Sequence, residues 1–149
     1  MIKKILVPTD GSATARKAVE YASDFAKQTG ASLVLLSVID RSLFVSKSVP
    51  SVATPTHLVE PLEDYLREAA GAYLEEAGRL CKKKGIQSKM VIRSGHPVEE
   101  IIKEAEKSNV DLIVMGSHGK SALKAAVLGS VTFGIIHKDT KIPVLVVRR

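Results

Sequence analysis

The segment Ile2-Lys3-Lys4-Ile5-Leu6-Val7-Pro8-Thr9-Asp10-Gly11-Ser12 changes its chemistry halfway along. Ile2 to Val7 is short, apolar and rich in branched residues, and Pro8 closes it, which predicts a strand. Thr9-Asp10-Gly11-Ser12 is a cluster of turn and helix N-cap types. Ala15, Ala18, Val19, Ala22, Phe25 and Ala26 then recur at helical spacing, and Gly30 stands where a glycine ends a helix. Leu33 to Ile39 is an unbroken apolar run, the mark of a strand buried on both faces. Strand, helix and doubly buried strand in that order open a parallel α/β sheet.

The rest of the chain keeps the alternation. Residues 40–57, with Pro50, Pro55 and several serines, carry no sustained period and predict a long loop, a type often used as a lid. Leu62, Leu66, Ala69, Tyr73, Ala77 and Leu80 step by three or four, and Lys82-Lys83-Lys84-Gly85 ends that helix with cations and a glycine. Gln87 to Arg93 reads as a third strand. Gly95-His96-Pro97 then turns into a short amphipathic helix carrying Val98, Ile101, Ile102 and Ala105. Leu112 to Met115 predicts a fourth strand, Ser130 to Lys138 a last helix, and Val144 to Val147 a fifth strand behind Pro143. The order implies an open parallel sheet with helices on both faces, joined by right-handed crossovers.

Length and composition bound the function. The 149 residues suit one domain spanning 1–149, with 45% hydrophobic and 26% charged residues. A single cysteine excludes an intrachain disulfide framework and a multi-cysteine zinc site. No apolar run approaches the ~20 residues of a membrane helix, and the apolar part of the N-terminus is too short for a signal peptide, so the cytoplasm is the default compartment. The net charge of +6 is uneven, with 8 basic and 9 acidic residues in 1–75 against 14 and 7 in 76–149. An anionic ligand fits this, as do solvated helix ends. Aromatics make up only 4%, which disfavours stacking on single-stranded nucleic acid.

In such a sheet, ligands bind beyond the carboxyl ends of the strands, where strand order reverses. Three loops qualify: the one at Pro8-Thr9-Asp10-Gly11, the one after Val38-Ile39-Asp40, and Gly116-Ser117-His118-Gly119. Nine residues after the last comes Gly129-Ser130, at the start of a predicted helix. Glycines there allow close backbone approach, and a helix start offers N–H groups to a phosphate; two ordinary turns would look the same. Gly119-Lys120-Ser121 imitates the end of a P-loop. The position five before Gly119 is Val114, however, so a Walker-type site is excluded.

The spacing G-x-x-G, nine residues, G-[ST] resembles the ATP-binding motif of the universal stress protein family. Ile5-Leu6-Val7-Pro8-Thr9-Asp10-Gly11-Ser12, Val38-Ile39-Asp40, Gly95-His96-Pro97, Asp111 to Ser117 and Pro143 to Val147 match that family too. The loop 40–57 departs most from its pattern. The resemblance implies a Rossmann-like sheet of order 3-2-1-4-5. It implies that Pro8, Thr9 and Asp10 meet a nucleoside and that the Val38 backbone meets the adenine edge. Gly116 and Gly119 would approach ribose and phosphate, and Gly129, Ser130 and Val131 would hold the phosphates. His118, by its place between the two motif glycines, either reaches a phosphate or faces solvent. ATP is then the expected ligand, with Mg²⁺ carried by its phosphate oxygens.

Individual residues have plainer readings. Asp10 also suits the N-cap of the first helix. Histidines 57, 96, 118 and 137 lack metal-ligand spacing, and no carboxylate partner for catalysis stands near His118 in sequence. Cys81 reads as a buried, inert thiol, and Lys120 and Lys124 as steering charges. The apolar edge strand Val144 to Val147 calls for a cover, which a second copy supplies in a homodimer, as the resemblance also implies, or which the Arg148 and Arg149 charges replace in a monomer. The expected function is an ATP-dependent switch or sensor in stress response, working on an unidentified protein partner, with no membrane and no nucleic acid. A slow ATP hydrolase or nucleotidyl transferase, and a dimeric scaffold without nucleotide, are the alternatives.

Overall fold

The computed structural model describes residues 1–41, 56–119 and 128–149, with only the helical backbone described over 56–60. Five strands, β1 (Lys4–Pro8), β2 (Ser32–Asp40), β3 (Ser88–Gly95), β4 (Leu112–Gly116) and β5 (Val144–Val147), form one sheet of order β3-β2-β1-β4-β5. Every pair is parallel, with Ile5 beside Leu33 on one side and Leu112 on the other. Helices α1 (Ala13–Thr29), α2 (Thr56–Lys83), α3 (Pro97–Lys107) and α4 (Ser130–Ile136) connect them. No helix among the described residues is long and apolar enough to cross a membrane.

Strand side chains alternate between faces, so each strand feeds two cores. Ile5, Val7, Leu33, Leu35 and Val114 pack with Ala18, Ala22, Ala26, Leu74, Ala77 and Cys81 of α1 and α2. Leu6, Val34, Leu36, Ile113 and Met115 pack with Val98, Ile101, Ala105 and Ile135 of α3 and α4. The alanines on the α1 face let that helix lie close to the sheet. Cys81 is fully buried, and burial pushes its thiol up, as an inert core residue requires.

Local chemistry sets the boundaries. Ser12 caps α1, its Oγ accepting from Ala15 N at 3.2 Å, and Gly30 ends the helix in the left-handed region at φ 79°. The cap therefore falls to Ser12 rather than Asp10. The long helix starts at Thr56, earlier than the periodicity predicts, and runs through Pro61. A proline inside a helix forfeits one backbone bond, which is why the sequence pattern points to a later start. Lys84 pairs with Asp24 at 2.6 Å and ties the end of α2 to α1. Pro97 opens α3 as predicted, and α4 stops at Ile136, two residues short of the expected Lys138.

The topology fixes where a site belongs. From β1 the chain winds outward to β2 and β3, then returns to β4 on the other flank of β1. The chain leaving β1 enters α1 on one face, and the chain leaving β4 reaches α4 on the opposite face. Their divergence opens a crevice at the carboxyl ends of β1 and β4.

Candidate functional site

A cavity of about 380 Å³ lies in that crevice. All ten residues singled out from the sequence line it. Pro8, Thr9 and Asp10 come from the end of β1, and Val38 from β2. Gly116, His118 and Gly119 come from the end of β4, and Gly129, Ser130 and Val131 from the entry to α4.

Short-range hydrogen bonds hold these segments in place. Thr9 N–H donates to Leu36 O at 2.8 Å, which pins the β1 exit to β2. Asp10 Oδ1 accepts from Ser12 N at 2.9 Å, so the carboxylate is oriented by the turn it follows. Its other oxygen faces Gly119, where a Cβ would stand 2.6 Å from Asp10 Oδ2. Gly11 has φ +77°, and a Cβ there would overlap the Tyr73 ring. Glycine is needed at that turn for both backbone and space.

The two loops on the β4 side are laced together. Gly129 N–H donates to Ser117 O at 2.6 Å, and a Cβ on Gly129 would lie 3.2 Å from His118 Cα. Thr132 Oγ1 donates to Gly116 O at 2.8 Å and fixes α4 against the strand end. His118 is buried, its Nδ1 2.8 Å from Ser117 Oγ. Gly116 has a packing role as well: a Cβ there would come within 2.8 Å of Thr14 Cγ2 and 3.0 Å of the Thr14 backbone. The close approach that demands glycine at 116 is therefore to α1.

Further walls come from residues that sequence reasoning did not place at a site. Leu66, Ala69, Ala70 and Tyr73 of α2 form one side, and Pro97 and Ile101 of α3 another, with Asp40, Met115 and Thr132 between. Their periodic spacing marked the α2 residues as helical, yet periodicity alone does not separate a face on a core from a face on a cavity. The lining is mainly apolar where α2 and α3 contribute, mixed along β2, where Ser37 and Asp40 stand beside Leu36, Val38 and Ile39, and rich in glycine where the β4 loop meets α4. Asp10 and Asp40 are its charged side chains among the described residues. Among those residues, no group of three His, Cys, Asp or Glu is placed to hold a metal ion. Lys120, Lys124 and nearly all of the predicted loop 40–57 lie outside the described residues.

His96 and His137 are not among the residues that line this cavity. His96 precedes Pro97 at the start of α3 without a side-chain cap bond. His137 stacks on Phe133 with ring centroids 4.0 Å apart and donates from Nδ1 to Phe133 O at 2.8 Å. Off the site, Arg93 of β3 bridges Glu100 and Glu104 of α3 at 2.9 and 3.2 Å.

Known proteins share this architecture and sequence. A profile of the universal stress protein family matches residues 1–148. Universal stress protein MJ0577 of Methanocaldococcus jannaschii is 41% identical over 157 residues, an alignment covering 100% of this chain and 96% of that relative. The solved structure of MJ0577 superposes with a TM-score of 0.86 at 40% identity, covering 100% of this chain and 97% of the other. Two more distant solved structures share the fold: a universal stress protein in complex with cAMP, and one from Archaeoglobus fulgidus in complex with dAMP. Their TM-scores are 0.68 and 0.62 at 24% and 17% identity, each covering 99% of this chain, and 97% and 98% of their own chains.

Proposed function

This chain belongs to the universal stress protein family, and we propose that it is an ATP-binding member that acts as a nucleotide-dependent switch or sensor. One observation carries the reading. Four segments, at residues 8–10, 38, 116–119 and 129–131, converge on a single crevice at the strand-order reversal, and the last two carry the glycine motif. Its volume of about 380 Å³ falls in the range of small-molecule sites.

The chemistry of the walls fits the parts of a nucleotide. Val38, Leu36, Ile101 and Met115 offer apolar surface to a base, with the Val38 backbone at its edge. Asp10 and Asp40 are acceptors suited to ribose hydroxyls. The backbone at Gly116, Gly119, Gly129, Ser130 and Val131 lets phosphates approach closely, with His118 beside them. Two carboxylates in the lining would repel a bare triphosphate. Mg²⁺ carried on the phosphate oxygens removes that conflict, and it needs no carboxylate cluster from the protein.

A switch needs a ligand that binds two states unequally. The crevice is walled by the β1 exit, α2, α3 and the β4–α4 loops, so a ligand seated there contacts elements from both faces of the sheet. The readout surface we assign to a second copy of the chain. Among the described residues β5 pairs on one side only, with β4, and its four apolar residues Val144 to Val147 remain half-buried. An open apolar edge of this kind is covered by the same edge of a partner related by two-fold symmetry.

The test is direct. Freshly purified protein is denatured, and the released small molecules are separated by anion exchange with mass detection. ATP near one per chain is the expected result. An empty column, followed by no heat on titration with ATP and Mg²⁺ at several temperatures, would refute the nucleotide reading. Recovery of ADP would move the function toward hydrolysis.

A further inference from the structure

A second groove, of about 630 Å³, opens at the other end of the sheet, where β1, β2 and β3 begin and α3 ends. Lys4, Lys89 and Lys107 line it together with the polar residues Ser32, Ser88 and Asn109, and among the described residues its lining holds no carboxylate. Strand alternation sets two of these lysines on the α3 side of the sheet. Lys89 stands two residues before Val91 and beside Val34, and Lys4 two residues before Leu6, all three of which pack in the core shared with α3 and α4. The Lys4 ammonium donates to Ser108 O at 3.1 Å, at the end of α3. Along α3, Glu100, Glu104 and Lys107 follow at intervals of four and three, so Lys107 continues the stripe that meets Arg93.

The seam between β3 and α3 therefore changes character along its length. At Arg93 it is matched, one guanidinium between two carboxylates. At the start of β3 the strand offers Lys89 and the helix offers Lys107, cation toward cation. Neither ammonium makes a hydrogen bond or an ion pair among the described residues, although the charge of Lys107 is felt at Glu104. Glu104 is already held by Arg93 and by the Ser108 hydroxyl, and the Asp111 carboxylate accepts from the N–H groups of Lys3 and Lys4. Like charges gathered in one groove repel unless an anion sits between them. We propose that this groove binds a small phosphoanion carrying more than one charge, of the class of inorganic pyrophosphate, with the three lysines as its counter-charges and Ser32, Ser88 and Asn109 as further donors. A monocarboxylate brings one charge to three cations, and successive carboxylates of an extended peptide point to opposite sides. An oligophosphate gathers its charges in one place, and lysine serves it as a point charge on a flexible stem. The groove lies at the opposite end of the strands from the crevice, so the proposal does not depend on the nucleotide reading.

The test is a titration of the whole protein with inorganic pyrophosphate at constant ionic strength, followed by ¹H–¹⁵N amide spectra. Saturable shifts are expected at the amides of Ser32, Ser88, Lys89 and Asn109. The double variant Lys89→Gln, Lys107→Gln changes two exposed side chains and should weaken that binding by about tenfold or more, the worth of a lost hydrogen bond to a charged group. Its urea midpoint should equal or exceed that of wild type, because a repulsion has been removed. Shifts confined to Gly119 and to Gly129, Ser130 and Val131 would put the anion in the crevice and overturn the proposal. Shifts that sodium chloride reproduces at equal ionic strength overturn it too, as does a double variant that keeps wild-type affinity. A double variant with a lowered urea midpoint would show that the lysines serve the fold, and would overturn it as well.

Discussion

Glycines at the crevice do different jobs, and the difference is measurable. A Cβ on Gly116 meets the backbone of Thr14 at 3.0 Å, and backbone cannot step aside cheaply. Gly116→Ala is therefore expected to destabilise the fold by about 1–3 kcal/mol, as overpacking does, with urea denaturation as the check. Among the described residues, a Cβ on Gly119 meets only the Asp10 carboxylate, with Oδ2 at 2.6 Å, the end of a side chain. Gly119→Ala should leave stability within ~0.5 kcal/mol of wild type and displace the Asp10 carboxylate. ATP binding should then weaken by about 1.5–3 kcal/mol, the worth of a hydrogen bond to a charged group. If both variants lose stability alike and bind alike, the division of roles between the two glycines is wrong. The sequence marked both positions, since glycine after a buried strand is legible from the pattern. It did not reveal which close approach each one serves, because the partner Thr14 belongs to a helix more than a hundred residues away. The same holds for Asp10, where the sequence left cap and site readings open. The cap fell to Ser12, and the Asp10 carboxylate bonds Ser12 N while facing the cavity.

Between elements, the sharpest prediction concerns α3 and β3. Arg93 bridges Glu100 and Glu104, whose side chains are 11% and 3% exposed. The Arg93 guanidinium and the Lys103 ammonium beside Glu100 hold its carboxyl below the ordinary range despite burial. For Glu104, burial pushes the carboxyl up, but the Ser108 hydroxyl and Arg93 together outweigh it and bring it below that range. Carboxylates with depressed values in the folded state stabilise it above the ordinary carboxylate range, and that contribution is lost as pH falls through the depressed values. Arg93→Met removes the cation that the two buried carboxylates share, leaving Glu100 the exposed Lys103 ammonium and Glu104 the Ser108 hydroxyl. The expected cost at pH 7 is near the lower end of roughly 3–5 kcal/mol, because Arg93 is partly exposed. At pH 3 the gap from wild type should narrow as the carboxyls of the variant take up protons. Urea curves at the two pH values check this, and a gap that widens in acid would contradict it. The elements themselves were legible wherever one signal dominated: the glycine after α1, the proline opening α3 and the apolar runs of β2 and β4. The start of α2 was not, because Pro61 argues locally against a helix that packing further along sustains. Nor was the α2 wall of the cavity, since Leu66, Ala69, Ala70 and Tyr73 share a spacing common to any buried helix face.

At the scale of the whole molecule, the proposed dimer and the proposed nucleotide each shift stability by mass action. A second copy on β5 makes the melting temperature rise with protein concentration, whereas a ligand makes it rise with ligand concentration. Val146→Lys puts a charge on the open edge beside β4, and it is expected to give a monomer of 16.0 kDa by sedimentation where the wild type gives twice that mass. ATP with Mg²⁺ at a hundred times its dissociation constant adds about 2.7 kcal/mol to the folded state. For a chain of this length each kcal/mol raises Tm by roughly 2–4 °C, so a rise of about 5–11 °C is expected. The two effects separate cleanly in one set of scans. If the crevice is coupled to the β5 edge, as the bond from Ser117 N to Val147 O allows, the ATP-induced rise should also differ between wild type and the Val146→Lys monomer. Linkage makes the coupling reciprocal, since a ligand that tightens the dimer must bind the dimer more tightly. Equal rises in the two proteins would mean that nucleotide and self-association act independently, and that the switch, if ATP drives one, reads out through another surface.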